Sequence, residues 1–126
     1  MGLPLPPSPF VHLLGMELHE SEGGRARMSL EIEERLHNSV GIAHGGVLCT
    51  LADVAAGMAA LSVMEKGEAP LTTDFNIAYF KQAGDGELVC EAEVIHRSRK
   101  RVRAESSIYK DGDLIAKAAA TFAVVK

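Results

Sequence analysis

Tryptophan is absent from this chain, and other aromatic residues, cysteine and proline are few. Aromatic side chains make up 5% of the 126 residues, so a core has to be built from aliphatic side chains and alanine. The two cysteines, Cys49 and Cys90, form no Cys-x-x-Cys pair, which predicts two buried free thiols in a reducing cytoplasm. Four of the five prolines fall within Gly2–Pro9, which we expect to be an extended arm.

An excess of positive charge is absent as well, since 17 Asp and Glu outnumber 13 Lys and Arg and the formal net charge is −4. No long basic tract is present, so a nucleic-acid partner is not expected. The apolar run Val47–Met64 is rich in Ala and Gly and contains Asp53, which predicts a buried helix rather than a membrane span. The first residues do not form a signal-peptide pattern. The length predicts a single domain over residues 1–126, with the Pro-rich arm at 1–9.

Apolar periodicity predicts most of the secondary structure. Apolar and polar residues alternate through Arg25–Ile32, which is typical of a half-buried strand. A helix is expected from about Gly45 to about Met64, and a single helical turn is expected over Phe10–Leu14, which ends at Gly15. The expected strands are Met16–Ser21, Arg25–Ile32, Leu71–Phe80, Glu87–His96, Arg101–Tyr109 and Leu114–Val125.

The order of these elements is two strands, one long helix and four more strands. An antiparallel sheet with one apolar face needs a cover, and the long helix is the available one. The sequence therefore predicts an α+β fold in which one central helix is wrapped by a curved antiparallel sheet. A strand left unpaired at the edge of that sheet favours dimerisation by sheet continuation.

Two glycines, Gly45 and Gly46, stand where the long helix is expected to begin. Glycines at this position let a ligand approach the backbone N–H groups, and the helix dipole favours negative charge there. These are the requirements of an oxyanion hole. The same glycines also suit a tight turn with close packing, and the two residues alone leave both interpretations open.

Asp53 is the only charged residue in its apolar helix, and a buried acid is costly unless it is hydrogen-bonded, protonated or used for chemistry. It lies eight residues beyond Gly45, roughly 12 Å along a helix axis. Reacting atoms need to approach to about 3–3.5 Å, so the two residues of one chain cannot serve one carbonyl. If both are catalytic, the acid comes from a neighbouring subunit. The alternative is a structural Asp bonded to a hydroxyl such as Thr50 or Ser62.

Asn38 and His44 precede the glycines on a predicted loop. An Asn amide or a neutral imidazole here is able to orient a carbonyl or to fix the loop through backbone contacts. A metal site is not expected, because His37 and His44 have no convincing further ligands nearby. Ser39 and Cys49 lie outside any nucleophile-elbow motif, and no phosphate-binding glycine motif is present.

The only basic cluster of the chain falls in the turn between two predicted strands. Arg and Ser side chains at such a turn suit the oxygens of a phosphate-rich ligand, and a solvated hairpin tip is the alternative. The candidate phosphate-binding residues are Arg97, Ser98, Arg99, Lys100 and Arg101.

These residues carry a resemblance to a known family. The pattern HNxxGxxHGGxxxxLADxA runs without a gap from His37 to Ala55, and the chain resembles the phenylacetate-degradation (PaaI-type) acyl-CoA thioesterases of the hotdog fold. Weaker similarity covers Leu14–Glu17, Phe75–Phe80 and the basic turn. The resemblance implies a helix wrapped by a curved sheet, a homodimer with a continuous sheet, and commonly a homotetramer. It also implies hydrolysis of acyl-CoA thioesters with no cofactor, since coenzyme A is part of the substrate.

The resemblance also assigns roles. Asp53 matches the catalytic carboxylate, as general base or nucleophile, and Gly45 with Gly46 matches the oxyanion site. His44 and Asn38 match residues that position the thioester and the loop, and Thr72 matches a hydroxyl beside the attacking water. The basic turn matches the contacts to coenzyme A phosphates, although Ser98 stands where relatives frequently have Gly.

Two other functions remain to be weighed. A non-catalytic acyl-CoA-binding module of the same fold has no need for a buried acid at position 53. A hotdog dehydratase or hydratase would carry a Pro–Gly pair after its catalytic His, and this chain has Gly45 and Gly46 after His44. The preferred acyl group is not indicated by any residue pattern.

Overall fold

The structure is a computed structural model, and it describes residues 2–126. One sheet and two helices account for most of this range, as predicted. The helices are α1 (Pro9–Leu14) and α2 (Gly45–Leu61), and a 3-10 turn spans Glu34–Leu36. The strands are β1 (Glu17–Glu22), β2 (Arg25–Ile32), β3 (Ala69–Tyr79), β4 (Gly86–Arg97), β5 (Arg101–Lys110) and β6 (Asp113–Val125).

The long helix α2 packs closely on the sheet because its buried side is built from small residues. Leu48 and Leu51 supply its large buried side chains, and Ala and Gly fill the other buried positions. His44 caps the first turn of the helix. The helix ends at Leu61 rather than near Met64, since Ser62 through Met64 form a turn instead. The buried residues of α2 are Leu48, Leu51, Ala52, Ala55, Ala56, Gly57, Ala59 and Ala60.

The six strands of residues 2–126 form one antiparallel sheet in the order β1-β2-β4-β5-β6-β3. The predicted alternation is confirmed in β2 and β5, where alternate residues are buried against α2. β3 follows α2 in the chain and pairs only with β6, with Thr72 opposite Phe122 and Tyr79 opposite Ala116. The sheet therefore wraps α2 and leaves β1 and β3 as its edges.

The edge strand β3 is exposed along most of its length, on both faces. Leu71 and Tyr79 are about half exposed, and Phe80 directly after the strand is 56% exposed. This exposure explains why the sequence of β3 mixes polar and apolar residues without clean alternation. The free edge is the one that a second chain would use to continue the sheet.

The arm that precedes α1 lies against the fold rather than away from it. The Leu3 N–H donates to Leu18 O of β1, and Leu5 packs against the main core. At the other end, the guanidinium of Arg35 donates to the carbonyls of Leu13 and Leu14 and so ties down α1. The predicted boundary of the arm is one residue too long, because Pro9 is the first residue of α1, a position that favours proline.

The two cysteines are free thiols in different surroundings. Cys90 is fully buried, and burial raises the pKa of its thiol to about 12. Cys49 is only half-buried, so its prediction as a buried thiol is wrong, because α2 turns this residue toward the exposed strand β3. Across residues 2–126, no helix has the length and apolar character to cross a bilayer.

Candidate active site

Asp53 lies midway along α2 and faces β3. The hydroxyl Oγ1 of Thr72 donates a hydrogen bond of 2.9 Å to Asp53 Oδ1. Asp53 Oδ2 has no hydrogen-bond partner among residues 2–126. The carboxylate is half-buried, and burial raises its pKa above the ordinary 3.8, an effect that the Thr72 hydrogen bond partly opposes. One carboxylate oxygen is thus held in place while the other is left for a substrate or a water molecule.

The two hydroxyls considered as structural partners of Asp53 are used elsewhere. Thr50 Oγ1 donates to Gly46 O at 2.9 Å, one turn back along the helix. Ser62 Oγ donates to Ala59 O at 2.7 Å and accepts from Gly24 N at 2.8 Å. Neither of these two examples bonds Asp53, because α2 turns both hydroxyls toward backbone groups, and the hydroxyl that bonds the carboxylate is that of Thr72.

A second hydroxyl fixes the helix beside Asp53 from the opposite side. Ser106 on β5 is fully buried, and its Oγ donates to Ala52 O at 2.7 Å. A buried hydroxyl needs a partner, and this one joins the sheet to the residue that precedes Asp53. The bond sets the depth of α2 on the sheet and therefore the position from which the Asp53 side chain extends.

His44 shapes the start of α2 with its own side chain. Its Nδ1 accepts a 2.8 Å hydrogen bond from Gly46 N, which makes it the N-cap of the helix. Because Nδ1 is an acceptor, the ring proton lies on Nε2, which leaves this N–H as a further donor. A Cβ at position 46 would lie 3.1 Å from Nδ1, so glycine at this position leaves room for the ring.

Gly45 is enclosed by a different ring. The Tyr79 hydroxyl donates to Gly45 O at 2.8 Å and lies 3.0 Å from Cys49 Sγ. A Cβ at position 45 would lie 3.3 Å from that hydroxyl oxygen. The peptide between Gly45 and Gly46 is therefore held at its oxygen by Tyr79 and at its N–H by His44. The Gly45 N–H has no acceptor among residues 2–126 and remains as a donor at the helix N-terminus.

Tyr79 was not among the site residues predicted from the sequence, and Cys49 was considered there only as a buried thiol and as a nucleophile without a motif. Burial and the neighbouring thiol raise the pKa of Tyr79 to about 12, so the phenol stays protonated and able to donate at neutral pH. No local pattern signals the contact, since Tyr79 reaches Gly45 across 34 residues of chain. Only the pairing of β3 with β6 brings the two together.

Asn38 organises the loop that leads into the helix. Its Oδ1 accepts from the backbone N–H groups of Val40 and Ile42, at 3.0 and 3.2 Å. Nearby, the His44 N–H donates to Leu36 O and so anchors the end of the loop. These contacts match the loop-fixing alternative for Asn38. The helix N-terminus is thus held from the loop side as well as by Tyr79.

The basic turn divides into two kinds of residue. Arg97 folds back onto the chain after α2, where it donates to Val63 O at 2.8 Å and lies 3.6 Å from Glu68 Oε1. Ser98 closes the turn by bonding the backbone of Arg101. Arg99, Lys100 and Arg101 are exposed. Since Arg101 is aligned through Ala123 with Leu71, the turn lies at the end of the sheet that carries Thr72.

The histidines and acidic residues of the described chain are possible metal ligands. Across residues 2–126, no group of three or more His, Cys, Asp and Glu side chains is placed to hold a metal ion. His37, one of the residues weighed as a ligand, is instead bonded through Nε2 to Asp85 Oδ1.

Comparisons with known proteins show the family to which this chain belongs. The family model of the thioesterase superfamily matches residues 40–117, a range that includes Gly45, Asp53 and Thr72. A 1,4-dihydroxy-2-naphthoyl-CoA hydrolase of Listeria monocytogenes is 32% identical over 83 residues, which make up 66% of this chain and 68% of that protein.

Solved structures show the same architecture. The structure of a conserved protein from Pseudomonas aeruginosa matches with a TM-score of 0.91 and 31% identity, and covers 94% of both chains. A phenylacetic acid degradation-related protein from Ralstonia eutropha matches with a TM-score of 0.86 and 25% identity, over 94% of this chain and 92% of that one. The resemblance found in the sequence is confirmed by these matches.

Proposed function

Since this chain belongs to the thioesterase superfamily, with the hotdog fold of its phenylacetate-degradation type, and is a thioester hydrolase, we propose that it hydrolyses acyl-CoA thioesters with Asp53 as the catalytic carboxylate. The observation that carries this proposal is the half-buried Asp53, which is bonded to Thr72 through one oxygen and open through the other. No cofactor is required, because the carboxylate and the backbone donors supply the chemistry.

In the proposed reaction Asp53 acts as a general base. Its free carboxylate oxygen takes a proton from a water molecule while the water oxygen attacks the thioester carbonyl carbon. The carbonyl oxygen becomes an oxyanion, and the C–S bond then breaks to release the acid and the coenzyme A thiolate. The raised pKa of Asp53 makes it a stronger base than an exposed carboxylate. The alternative is direct attack by Asp53, through an anhydride that water then cleaves. A single turnover in ¹⁸O-labelled water distinguishes the two, because cleavage of the anhydride at its Asp53 carbonyl would leave ¹⁸O in the Asp53 carboxylate.

The oxyanion donor is proposed to come from a second copy of the chain. Within one chain Asp53 and Gly45 are eight residues apart on α2, roughly 12 Å, which is too far to serve one carbonyl. Along β3, Thr72 bonds Asp53 and Tyr79 bonds Gly45, so these two strand residues show where the two groups lie beside the strand. A two-fold axis midway between them, near Phe75 and Asn76, would align each Thr72 with Tyr79 of the partner subunit.

That arrangement uses the free edge of the sheet. Antiparallel pairing of β3 with its copy would satisfy backbone groups that are unpaired in one chain, and would cover exposed apolar side chains such as Leu71 and Phe80. The proposed assembly is therefore a homodimer with a continuous sheet, and two such dimers form the proposed tetramer. Each dimer holds two sites, with Asp53 from one chain and Gly45 from the other.

The exposed residues of the basic turn are proposed to bind the phosphates of coenzyme A. Arg99, Lys100 and Arg101 are exposed, with the Arg101 guanidinium donating to Lys100 O at the surface, whereas Arg97 is engaged by Val63 and Glu68. Their position beyond Leu71 puts positive charge at the end of the sheet that carries Thr72, and the proposed two-fold axis brings the basic turn of the partner subunit toward the start of α2, where the phosphates of a coenzyme A held at Asp53 would meet it.

Subunit complementation tests the shared site. Gly45→Pro removes the N–H but suits the first helical position, and His44 already has the extended conformation that a following proline needs (ψ 135). Gly45→Pro and Asp53→Asn are each expected to lower turnover of an acyl-CoA panel by about 100-fold or more, measured by thiol release. When the two variants are unfolded and refolded together, mixed dimers contain one intact site, so about a quarter of wild-type turnover should return.

Two controls make this result specific. Gly45→Ala adds the same Cβ beside Tyr79 but keeps the N–H, so it should retain much more turnover than Gly45→Pro. A chain that carries both substitutions should restore nothing when it is mixed with either single variant. Failure of the single variants to complement would contradict the shared site, and wild-type turnover by Asp53→Asn would contradict the proposed function.

A further inference from the structure

Two adjoining cavities meet at Asp53. The larger, about 460 Å³, lies toward the start of α2 and is lined by Phe10, Cys49, Thr50 and Phe75. The smaller, about 190 Å³, lies toward the end of α2, between that helix and the N-terminal arm. Asp53 and Thr72 line both. A thioester carbonyl held at Asp53 would therefore have one space on either side.

The smaller cavity differs from the larger in its walls. Apart from Asp53, Thr72 and Ser8, its side chains are apolar, and the arm supplies one wall through Leu5 and Pro6. The larger cavity is also mainly apolar and shares Ser8, Asp53 and Thr72 with the smaller one, but it is more open to solvent and adds Cys49 and Thr50, which suits a pantetheine chain that leads out toward the nucleotide. The other apolar lining residues of the smaller cavity are Val11, Val54, Met58, Pro70 and Phe122, with Gly57 at its floor.

We propose that the smaller cavity is the acyl site and that the N-terminal arm, through Leu5, sets the length of acyl group that this enzyme accepts. The inference rests on the proposed function, because it places the thioester at Asp53. A volume of 190 Å³ is less than half that of the neighbouring cavity, so the favoured substrate carries a compact apolar acyl group rather than a long one.

The arm is placed to hold this wall steadily. Leu3 is bonded to Leu18 on one side of it, and on the other side Val11 and Leu14 of α1 are buried in the core. Leu5 itself is partly buried against the same core. The wall is thus anchored at both ends, and its position relative to Met58 and Gly57 is fixed by the fold.

Gly57→Ala narrows the cavity without damaging the protein. A Cβ at position 57 would lie 3.7 Å from the nearest atom of Phe122, an ordinary contact, and alanine favours a helix interior over glycine. The variant should therefore unfold at a higher temperature than wild type. We expect its ratio of kcat/KM for decanoyl-CoA over butanoyl-CoA to fall by about 10-fold or more, because one methylene in an apolar pocket carries that much discrimination. Loss of folding cannot produce that combination.

Leu5→Ala widens the same cavity and should move the ratio in the opposite direction. Its matched control is Leu13→Ala, which removes the same side chain from α1 at a position that is 69% exposed and lines neither cavity. The control should leave the ratio unchanged. Ratios that stay at the wild-type value in both cavity variants, or that move equally in the control, would overturn the inference while leaving the proposed function standing. A wild-type protein that hydrolyses no member of the acyl-CoA panel would overturn both.

Discussion

Thr72 on the edge strand β3 and Asp53 on the central helix are joined by a 2.9 Å hydrogen bond, and this contact gives the carboxylate its orientation. It leaves Asp53 Oδ2 facing cavities that are otherwise mainly apolar. A helix and an edge strand thus build one half of the reaction centre that we propose. The helix N-terminus, with Gly45 and His44, builds the other proposed half.

Asp53→Asn is expected to abolish turnover and to stabilise the fold. Burial raises the pKa of Asp53, so the native state favours the protonated acid and is penalised when the carboxylate ionises. This penalty is absent below the ordinary pKa of 3.8 and grows as the pH rises through the raised value. Asn accepts the same Thr72 hydrogen bond without a charge. Thermal unfolding should therefore show a higher Tm for the variant at neutral pH, and the difference should shrink in acid.

The matched control for that experiment is Asp113→Asn. The Asp113 side chain is 66% exposed beside Lys81, so the same substitution there should change neither turnover nor Tm appreciably. A variant at position 53 that is less stable than wild type at neutral pH would contradict the assigned cost of burial.

Thr72→Val should move the pH dependence of the reaction. The Thr72 hydrogen bond lowers the pKa of Asp53, so its removal leaves burial unopposed and raises that pKa further. Activity requires the ionised carboxylate, and the acid limb of the kcat/KM profile should shift to higher pH. Thr72→Ser keeps the donor and should keep the wild-type profile. Thr73→Val is the neighbouring control, since Thr73 bonds Thr121 O rather than Asp53.

Tyr79→Phe should reduce kcat by about 2- to 10-fold with little change in KM, since one neutral hydrogen bond to Gly45 O is lost while the ring remains. The bond positions the peptide between Gly45 and Gly46. This peptide follows directly after the Gly45 N–H, the proposed oxyanion donor. Tyr109→Phe, at the chain's other tyrosine, is the control and should behave as wild type. An equal loss in the two variants would show that Tyr79 has no special role.

Two substitutions in the basic turn are expected to have different effects, one on substrate binding and the other on stability. Arg99→Ala should raise KM for an acyl-CoA but not for the matching acyl-pantetheine, which lacks the nucleotide phosphates. Arg97→Ala should instead lower Tm, because it removes the contacts to Val63 O and Glu68. If Arg99→Ala raises KM equally for both substrates, the phosphate assignment is wrong.

Much of the fold was predictable because its strands and helix carry clear periodicity. The alternation in Arg25–Ile32 and the apolar run after Gly45 gave element types that the structure confirms. The position of β3 at the far edge of the sheet was not predictable, since local pattern does not determine which strands pair. The path of the arm was also hidden, because a Pro-rich segment has no periodicity to show what it covers.

The candidate site shows the same division. Gly45, His44 and Asp53 stand in one short segment, where spacing alone suggested two separated reactive groups. The partner of Asp53 could not be found from spacing, because hydroxyls near it in sequence, at Thr50 and Ser62, turn to backbone groups. Thr72 entered only through family resemblance, and Tyr79 was missed. Both act through tertiary contacts between α2 and an edge strand.

The small side chains on the buried side of α2 have a consequence for anyone who wishes to redesign this enzyme. The alanines there let the sheet backbone come close, so a bulkier residue in their place would push the sheet away from the helix, whereas Gly57 has room for one methyl group. The side of α2 that faces the N-terminal arm tolerates change better, because only a few arm residues such as Leu5 and Pro6 pack there. Variation in substrate range is more easily introduced there than from within.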